Sequence, residues 1–420
     1  MARQFCSRVI PALSLAATVS SCGFFELGED LDKLEDVTHL YTGSVSSELL
    51  ELHSVVVVAM EDPDGSIITT FRMMGDPGRY EIRAARQPYH FFAFADMNRD
   101  LRFQHGEAFG WASNAAAVEP RGGENRGVDI TIREPGYVQT SAPGRIAGEP
   151  LENHLNNYLR FNNGTVSPLD DPLFSRRQGS KGLWQPFAFV EDGGAGIHFL
   201  QPFDRHRTPV LFVHGINGSP QDFRHIIARL DKSKYQPWVL SYPSGLRLSW
   251  VSRGLFQFLE VLNRKYEFDE LHLVAHSMGG LVTRGSLNLC VENDLCAYIK
   301  TYTTMSTPWN GVYSAAAGVK YSPEVVPAWR DLDPNSEFLA DLFETPLPEG
   351  LPHHLIFGFR NDTILATESS DGVIDLSSQL RPLAQEQAET IRGFDESHSS
   401  ILQSPVVIDR INSILAGPVE

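Results

Sequence analysis

The apolar and polar positions follow two different patterns along this chain. In the N-terminal part, short apolar or alternating runs such as 54–60, 80–84 and 128–132 are separated by turn-forming residues. Alternation with a period of two between such turns is typical of β-strands. From residue 208 onward, apolar strand-like runs alternate with helical patterns, as in α/β domains with a mostly parallel sheet. We therefore predict a small all-β sandwich over residues 48–133 and an α/β domain over residues 183–420.

The segments that flank the predicted sandwich lack this periodicity. Residues 22–47 are polar and acidic, which predicts a tether. Residues 134–182 contain Pro-Gly pairs that interrupt regular structure, which predicts a linker. The strand pattern of the sandwich itself resembles the transthyretin-like or carboxypeptidase-regulatory-like sandwiches that accompany secreted enzymes.

Residues 1–21 have the pattern of an export signal. Arg3 and Arg8 precede an apolar run over 9–19, which is too short to span a bilayer. The run ends in Val19-Ser20-Ser21-Cys22, which resembles the lipobox of bacterial lipoproteins. The resemblance implies cleavage before Cys22, acylation of Cys22, export, and an outer-membrane anchor in a Gram-negative host, since Gly23 and not aspartate follows. An ordinary secretory leader is the alternative.

Two cysteines lie close together in the C-terminal part of the chain. Once the leader is removed and Cys22 is lipidated, Cys290 and Cys296 remain as a pair six residues apart. An exported protein can form a disulfide, so we predict that these two cysteines are joined. Two buried free thiols are the alternative.

One segment of the predicted sandwich has partial calcium-loop spacing. Asp96, Asn98, Asp100 and Glu107 match most of the ligand positions of an EF-hand loop, but Leu101 occupies the position of the usual glycine. We therefore predict a polar hairpin turn here and treat a calcium site as the weaker alternative. No other metal and no cofactor is expected.

A nucleophile pattern follows the apolar run 271–274, in the order Ala275-His276-Ser277-Met278-Gly279-Gly280. A strand, a tight turn and a helix are the context of a nucleophile elbow, which holds a serine on a strained turn at a helix N-terminus. Such a turn needs small residues two positions before and after the serine, and Ala275 and Gly279 meet that need. A helix N-cap is the alternative interpretation of Ser277.

A second apolar run, 210–213, leads into His214-Gly215-Ile216-Asn217-Gly218-Ser219. Together with the elbow, this segment resembles the α/β-hydrolase fold, specifically its branch of bacterial lipases and GPI-inositol-deacylase-like enzymes. The resemblance covers about residues 183–416 and includes a Thr-Pro-x-x-Gly turn within 304–311. It implies that the backbone N–H groups of Ile216 and Met278 form the oxyanion hole, and that His214 is structural.

The triad order in this family is serine, acid, histidine. After Ser277 the histidines are His353, His354 and His398, and the first two precede a strand pattern too early to follow the acid. His398 stands before an amphipathic final helix pattern, which suits the catalytic base. A surface histidine is the alternative.

Three aspartates compete for the role of triad acid. We predict Asp371, because Gly372 permits a turn that aims the carboxylate inward and the apolar pair 373–374 anchors the loop. Asp362 follows a strand pattern closely and is the main competitor. Asp375 would point away if the apolar pair is buried.

Residues 310–351 form a connection longer than is usual between a strand and the next strand. Such insertions often cover an active site, as a lid or as a wall of an acyl-binding pocket. Ordinary cap packing is the alternative, and the sequence leaves both open.

Composition narrows the possible partners. The chain has 35 Lys and Arg against 52 Asp and Glu, a formal net charge of −17. A nucleic-acid binder needs clustered positive charge, so no nucleic-acid partner is expected. The expected partners are an ester or lipid substrate and, through the lipid on Cys22, a membrane.

These features predict a lipid-anchored serine hydrolase of the lipase or esterase type, with an α/β-hydrolase domain behind a β-sandwich. Its reaction would be ester hydrolysis through an acyl-enzyme on Ser277. A thioester or amide hydrolase on the same fold is one alternative, since the fold does not decide the substrate. A non-catalytic surface lipoprotein is the other.

Overall fold

The computed structural model describes residues 21–49, 52–155, 162–360 and 369–417. It begins with helix α1 (Ser21–Val37), which is followed by strand β1 (His39–Ser47). The prediction of a tether over 22–47 is therefore wrong. Leu27 of α1 is fully buried, and β1 pairs with neighbouring strands, so tertiary contacts order a segment whose composition looks like a linker. The predicted leader covers residues 1–21, of which 1–20 lie outside the described ranges. Ser21 and the predicted acylation site Cys22 lie in the first turn of α1.

The N-terminal β-rich region consists of two four-stranded sheets. One sheet has the order β4-β1-β7 with β8 also paired to β1, and the other has the order β3-β2-β5-β6. Strands β2 to β8 are Val55–Met60, Ile68–Met74, Arg79–Ala84, His90–Ala95, Phe109–Trp111, Glu124–Asn125 and Ile130–Ile132. These two facing sheets form the sandwich predicted over 48–133, with β1 added from the preceding segment.

Strand β2 shows how the sandwich joins the rest of the molecule. All six of its residues are buried. Val55 and Val57 face the interior of the sandwich, whereas Val56 and Val58 belong to the large core that also contains residues of the α/β domain. A strand that is covered on both faces is apolar at every position, which explains the continuous run in the sequence.

The predicted linker over 134–182 is also part of the packed structure. Ile146 and Leu151 are fully buried in the same large core. Further along, strand β9 (Thr165–Val166) is the edge strand of the large sheet of the C-terminal domain. Helix α2 (Arg176–Trp184) packs against the loop at Gly218 of the same domain. The Pro-Gly breaks therefore mark turns within a folded segment.

The C-terminal domain contains an eight-stranded sheet of order β16-β15-β14-β13-β11-β12-β10-β9. Neighbouring strands are parallel except for β10 and β12. Strands β10 to β16 are Gly196–Phe199, Thr208–Val213, Tyr235–Ser241, Leu271–His276, Ile299–Met305, His353–Gly358 and Thr390–Phe394. The carboxyl ends of the parallel strands meet at one edge, here called the active-site edge.

Helices cover both faces of this sheet. Helices α3 to α12 are Pro186–Glu191, Arg224–Ala228, Leu248–Tyr266, Met278–Glu292, Tyr313–Tyr321, Pro327–Leu332, Glu337–Asp341, Leu376–Gln379, Pro382–Glu386 and Pro405–Leu415. Leu211 and Leu273 pack in the core that holds α5 and α6, whereas Val210 and Val274 pack in the core that holds α4 and α12. The predicted α/β domain is confirmed. No helix in the described ranges is both long and apolar enough to cross a membrane.

A disulfide between Cys290 and Cys296 closes the connection after α6, as predicted for this pair. The sandwich contacts the closed loop directly, because Nη1 of Arg99 donates to the carbonyl oxygen of Asp294 over 2.6 Å. A Cβ at Gly75 would lie 2.6 Å from the carbonyl oxygen of Glu292, so only glycine allows this close approach. The disulfide loop is therefore part of the interface between the two domains.

The loop that partly matches the spacing of a calcium-binding loop is stabilised by hydrogen bonds from its own backbone N–H groups to its carboxylates. The carboxylate of Asp96 accepts hydrogen bonds from the N–H groups of Asp100 (2.9 Å) and Leu101 (3.1 Å), and Glu107 accepts from the N–H of Gln104 (2.8 Å). Leu101 adopts a φ of 53° where calcium loops have glycine. In the part of the chain that the structure describes, no group of three or more His, Cys, Asp and Glu is placed to hold a metal.

Candidate active site

Ser277 lies on a sharp turn between β13 and α6. Its φ of 55° and ψ of −132° are strained for a residue with a side chain. Its backbone N–H donates to the carbonyl oxygen of Met305 over 2.8 Å, which ties the turn to the neighbouring strand. A Cβ at Gly279 would lie 2.4 Å from the carbonyl oxygen of Val213, so the turn needs glycine there. These are the properties of a nucleophile elbow.

The structure brings Ser277, His398 and Asp371 together at the active-site edge. Nε2 of His398 lies 3.0 Å from Oγ of Ser277, and Nδ1 of His398 lies 2.7 Å from Oδ2 of Asp371. The serine follows β13, the aspartate follows β15 and the histidine follows β16, in three separate connections. The result is a continuous hydrogen-bond chain from a hydroxyl to a carboxylate, the geometry that general-base activation of a serine requires.

Asp371 is held in place by its own loop. Its side chain is fully buried, and Oδ1 accepts hydrogen bonds from the N–H groups of Val373 (3.0 Å) and Ile374 (2.8 Å). Burial alone would raise the pKa of Asp371, but hydrogen bonds from His398, Ile374 and Val373 and the charge of His398 outweigh burial and lower it. The carboxylate therefore stays ionised beside the histidine.

The loop differs from its prediction in one detail. Gly372 has a φ of 90°, as expected for the turn, and Ile374 is buried, but Val373 is 43% exposed. Of the apolar pair, Ile374 is thus the buried anchor, and Val373 contributes its backbone N–H. Of the competing acids, Asp362 lies outside the described residues, and Asp375 precedes the first turn of α10.

His276 is a residue that the sequence analysis missed. It is buried directly before the nucleophile, and its ring centroid lies 4.7 Å from that of His398. Its Nε2 donates to the backbone carbonyl of His398, while the backbone N–H of His398 donates to the carbonyl of Asp371 over 2.8 Å. The carbonyl of His398 is thus held by His276, beside the nucleophile, and its N–H is held by the carbonyl of Asp371. A histidine next to the serine was the available signal, but nothing in the sequence shows what it contacts.

The loop after β11 lies against the nucleophile. A Cβ at Gly215 would be 2.8 Å from Cβ and 3.2 Å from Oγ of Ser277, so the backbone passes directly beside the hydroxyl. The hydroxyl of Tyr242 donates to the carbonyl of His214 over 2.5 Å, and the two rings stack with centroids 4.3 Å apart. His214 is therefore a structural residue of this loop. The predicted donors Ile216 and Met278 follow Gly215 and Ser277 directly, and their role in an oxyanion hole stays a prediction.

The insertion over 310–351 forms helices α7, α8 and α9. It is fixed to the body, because the fully buried carboxylate of Asp331 pairs with Nη2 of Arg247 at 2.6 Å and accepts from the N–H of Leu248 at 2.6 Å. Arg381 donates from Nη1 to the carbonyls of Trp309 (3.1 Å) and Leu339 (2.9 Å). These contacts favour a fixed wall over a mobile lid.

The strand order, the elbow and the order of serine, acid and histidine now point to one fold. The C-terminal domain is an α/β-hydrolase domain. The prediction of this fold from the two glycine-containing turns is confirmed. An α/β-hydrolase domain presents its reactive residues at the carboxyl ends of its strands, where the structure places Ser277 and His398.

Comparisons with known proteins concern the α/β-hydrolase domain. Residues 236–323, which run from β12 past α7, match a family described as lecithin:cholesterol acyltransferase. No curated protein matches the chain significantly. The matched segment contains the elbow around Ser277 and the turn after β14.

Several solved structures are similar to this chain. The mature form of the Bacillus licheniformis lipase BlEst2 is 16% identical, with 52% of this chain and 97% of that chain covered and a TM-score of 0.44. The Listeria innocua lin2722 product is 14% identical, with 51% and 96% covered and a TM-score of 0.39. Aspergillus fumigatus lipase B is 13% identical, with 64% and 68% covered and a TM-score of 0.41.

Proposed function

We propose that this protein is a serine hydrolase of carboxylic esters, of the lipase or esterase type. The observation that carries the proposal is the hydrogen-bond chain from Ser277 through His398 to Asp371, with distances of 3.0 Å and 2.7 Å. A buried carboxylate, a histidine between two partners and a serine on a strained turn together are rarely a purely structural arrangement. The match to an acyltransferase family favours an acyl group as the part of the substrate that Ser277 receives.

The reaction would proceed in two steps through an ester on Ser277. His398 takes the proton of the Ser277 hydroxyl as the oxygen attacks the ester carbonyl carbon, and Asp371 stabilises the imidazolium. The negative oxygen of the tetrahedral intermediate would be bound by the N–H groups of Ile216 and Met278, near the positive end of α6. His398 then gives its proton to the departing alcohol. Water, activated by the same histidine, releases the acid and restores the serine.

We also propose that the chain is an exported lipoprotein, attached by an acylated Cys22 to the outer membrane. The support is the sequence of the leader and its lipobox, since several acyl chains on one residue make attachment stable. Metabolic labelling with a palmitate analogue tests this, with Cys22→Ser as the matched control. Label that persists on the Cys22→Ser protein would disprove acylation at this residue.

A fluorophosphonate probe tests the proposed catalytic role of Ser277. The probe should label the wild-type protein and should not label Ser277→Ala, while both proteins keep the same circular dichroism. A panel of chromogenic esters, thioesters and amides, with and without an added alcohol, then separates an esterase from a thioesterase, an amidase or an acyltransferase. If a folded wild-type protein is not labelled at Ser277, the proposal of an enzyme fails and a non-catalytic lipoprotein is favoured.

A further inference from the structure

Helix α1 lies beside the active-site edge. The ring of Phe24 packs edge to face on Trp184 of α2, with centroids 5.4 Å apart. Helix α2 in turn lies on the loop that faces Ser277, because a Cβ at Gly179 would be 2.5 Å from the carbonyl oxygen of Gly218. Helix α2 therefore lies between α1 and the loop beside the nucleophile.

Polar contacts hold α1 in a fixed position. Asp30 of α1 is 4% exposed and accepts hydrogen bonds from the N–H groups of Phe187 (2.7 Å) and Ala188 (3.0 Å), in the first turn of α3. Gln185 donates from Nε2 to Glu26 over 2.7 Å. Because α1 is attached in this way, a membrane anchor at its N-terminus would fix the orientation of the folded domains. A flexible tether would not do so.

The segment that follows α7 lies next to α1. A Cβ at Gly28 of α1 would be 3.4 Å from the side chain of Glu324, three residues beyond the end of α7. Trp329 of α8 connects α7 to α2, since it contacts Trp184 of α2 with centroids 6.1 Å apart and packs closely under Gly318 of α7. Trp184 and Trp329 thus link α1, α2 and α7 in one packed group, and α2 of this group lies on the loop beside Ser277.

Three aromatic side chains on α1 and α7 are strongly exposed. Phe25 of α1 is 77% exposed, and Tyr313 and Tyr321 at the two ends of α7 are 70% and 74% exposed. Exposed aromatic side chains grouped on one surface mark an interaction site, and tyrosine is favoured where an apolar ring meets water at a membrane surface. Lys320 lies over the ring of Tyr321 at 5.0 Å and adds a cation to the same region.

We propose that Phe25, Tyr313 and Tyr321 form a docking face for the surface of a phospholipid bilayer. A bilayer is the favoured occupant because the lipobox cysteine, Cys22, stands three residues before Phe25, less than one helical turn away. A net charge of −17 favours zwitterionic over anionic headgroups. Because α2 joins α1 to the loop beside Ser277, docking through this face would bring that loop near the lipid, and the substrate class would be esters of bilayer lipids. This inference rests on the proposed function for its substrate, but not for its docking.

Vesicle binding tests the docking face directly. The mature chain from residue 22, carrying Cys22→Ser so that no lipid is attached, is sedimented with phosphatidylcholine vesicles. Phe25→Ser and Tyr321→Ser should each weaken partitioning by about fivefold or more, because each removes an aromatic ring from the interface. Tyr137→Ser is the matched control, since Tyr137 is 76% exposed but lies outside α1 and α7 and should leave partitioning unchanged.

The results distinguish the two proposals. Hydrolysis of a soluble short-chain ester should be equal in all these variants, since none of them touches the triad. Failure of every protein on that ester would overturn the proposed hydrolase and leave the docking measurement valid. The docking face is overturned if the parent protein does not bind phosphatidylcholine vesicles, if the control weakens binding as much as the two face variants, or if binding requires anionic phosphatidylglycerol.

Discussion

The Nε2–H of His276 donates a hydrogen bond to the backbone carbonyl oxygen of His398 over 2.9 Å. A carbonyl oxygen only accepts, so Nε2 of His276 must carry the proton. Burial, followed by the charge of His398, lowers the pKa of His276 to about 3. The hydrogen bond to the His398 carbonyl and the charge of Asp371 oppose this shift, and His214 adds to it. His276 is thus a neutral donor that holds the proposed base from the side of the nucleophile.

We expect His276→Met to lower kcat by about tenfold or more, with little change in KM, because the carbonyl of His398 loses its donor and the imidazole is less well placed. Glutamine carries an amide N–H near the position of Nε2, so His276→Gln should recover most of the rate. Steady-state kinetics on a soluble ester, together with thermal unfolding, measure both effects.

The tautomer of His276 can be checked in the unaltered protein. Nitrogen-15 NMR should show His276 neutral, with its proton on Nε2, throughout pH 5 to 8. A His276 signal that titrates in this range would contradict a positioning role. So would a folded His276→Met protein with the wild-type rate, or a His276→Gln protein as slow as His276→Met.

Asp371→Asn should keep the fold but lower kcat by about three to four orders of magnitude, because the imidazolium of His398 loses its charged partner. Asp375→Asn, in the same loop, is the matched control and should have a mild effect, as should Asp362→Asn. Kinetics on the folded variants compare them. If Asp362→Asn is the more damaging change, the acid is Asp362.

Glu107 should make stability depend on pH. Burial, assisted by the charges of Asp96 and Asp100 and opposed by the N–H of Gln104, raises the pKa of Glu107 to about 7 from the usual 4.5. The folded protein therefore keeps a proton that the unfolded chain has released, so the contribution of Glu107 to stability falls as pH rises from 4.5 to 7. Tm should decrease over this interval, and less so in Glu107→Gln. The exposed Glu149 provides the control Glu149→Gln, which should behave as the wild type does.

The disulfide should stabilise the protein without taking part in catalysis. Reduction, or the double change Cys290→Ser and Cys296→Ser, should lower the free energy of unfolding by about 2 kcal/mol, since a short loop restricts the unfolded chain only modestly. The rate on a soluble ester should stay close to that of the wild type. Mass spectrometry without reduction provides the check on pairing, and two thiols open to alkylation would refute it.

Local sequence was sufficient for the parts of the site that depend on one turn. The elbow around Ser277 needs small residues at fixed positions, and the order of motifs selected His398 from three histidines. The triad acid was harder to identify from sequence, because Asp362, Asp371 and Asp375 lie in one connection. The folded path of the chain decides which of these carboxylates contacts Nδ1 of His398. The structure describes that contact for Asp371.

Strand periodicity and tight-turn sterics act over a few neighbouring residues, so the amino-acid sequence alone predicts the two kinds of sheet and the elbow. The tertiary structure was needed to show that residues 22–47 are folded, since α1 depends on the burial of Leu27 and on the hydrogen bonds of Asp30 to the first turn of α3. It also decided the role of His276, whose partner is 122 residues away. Such contacts join elements that are distant in sequence, so no local pattern records them.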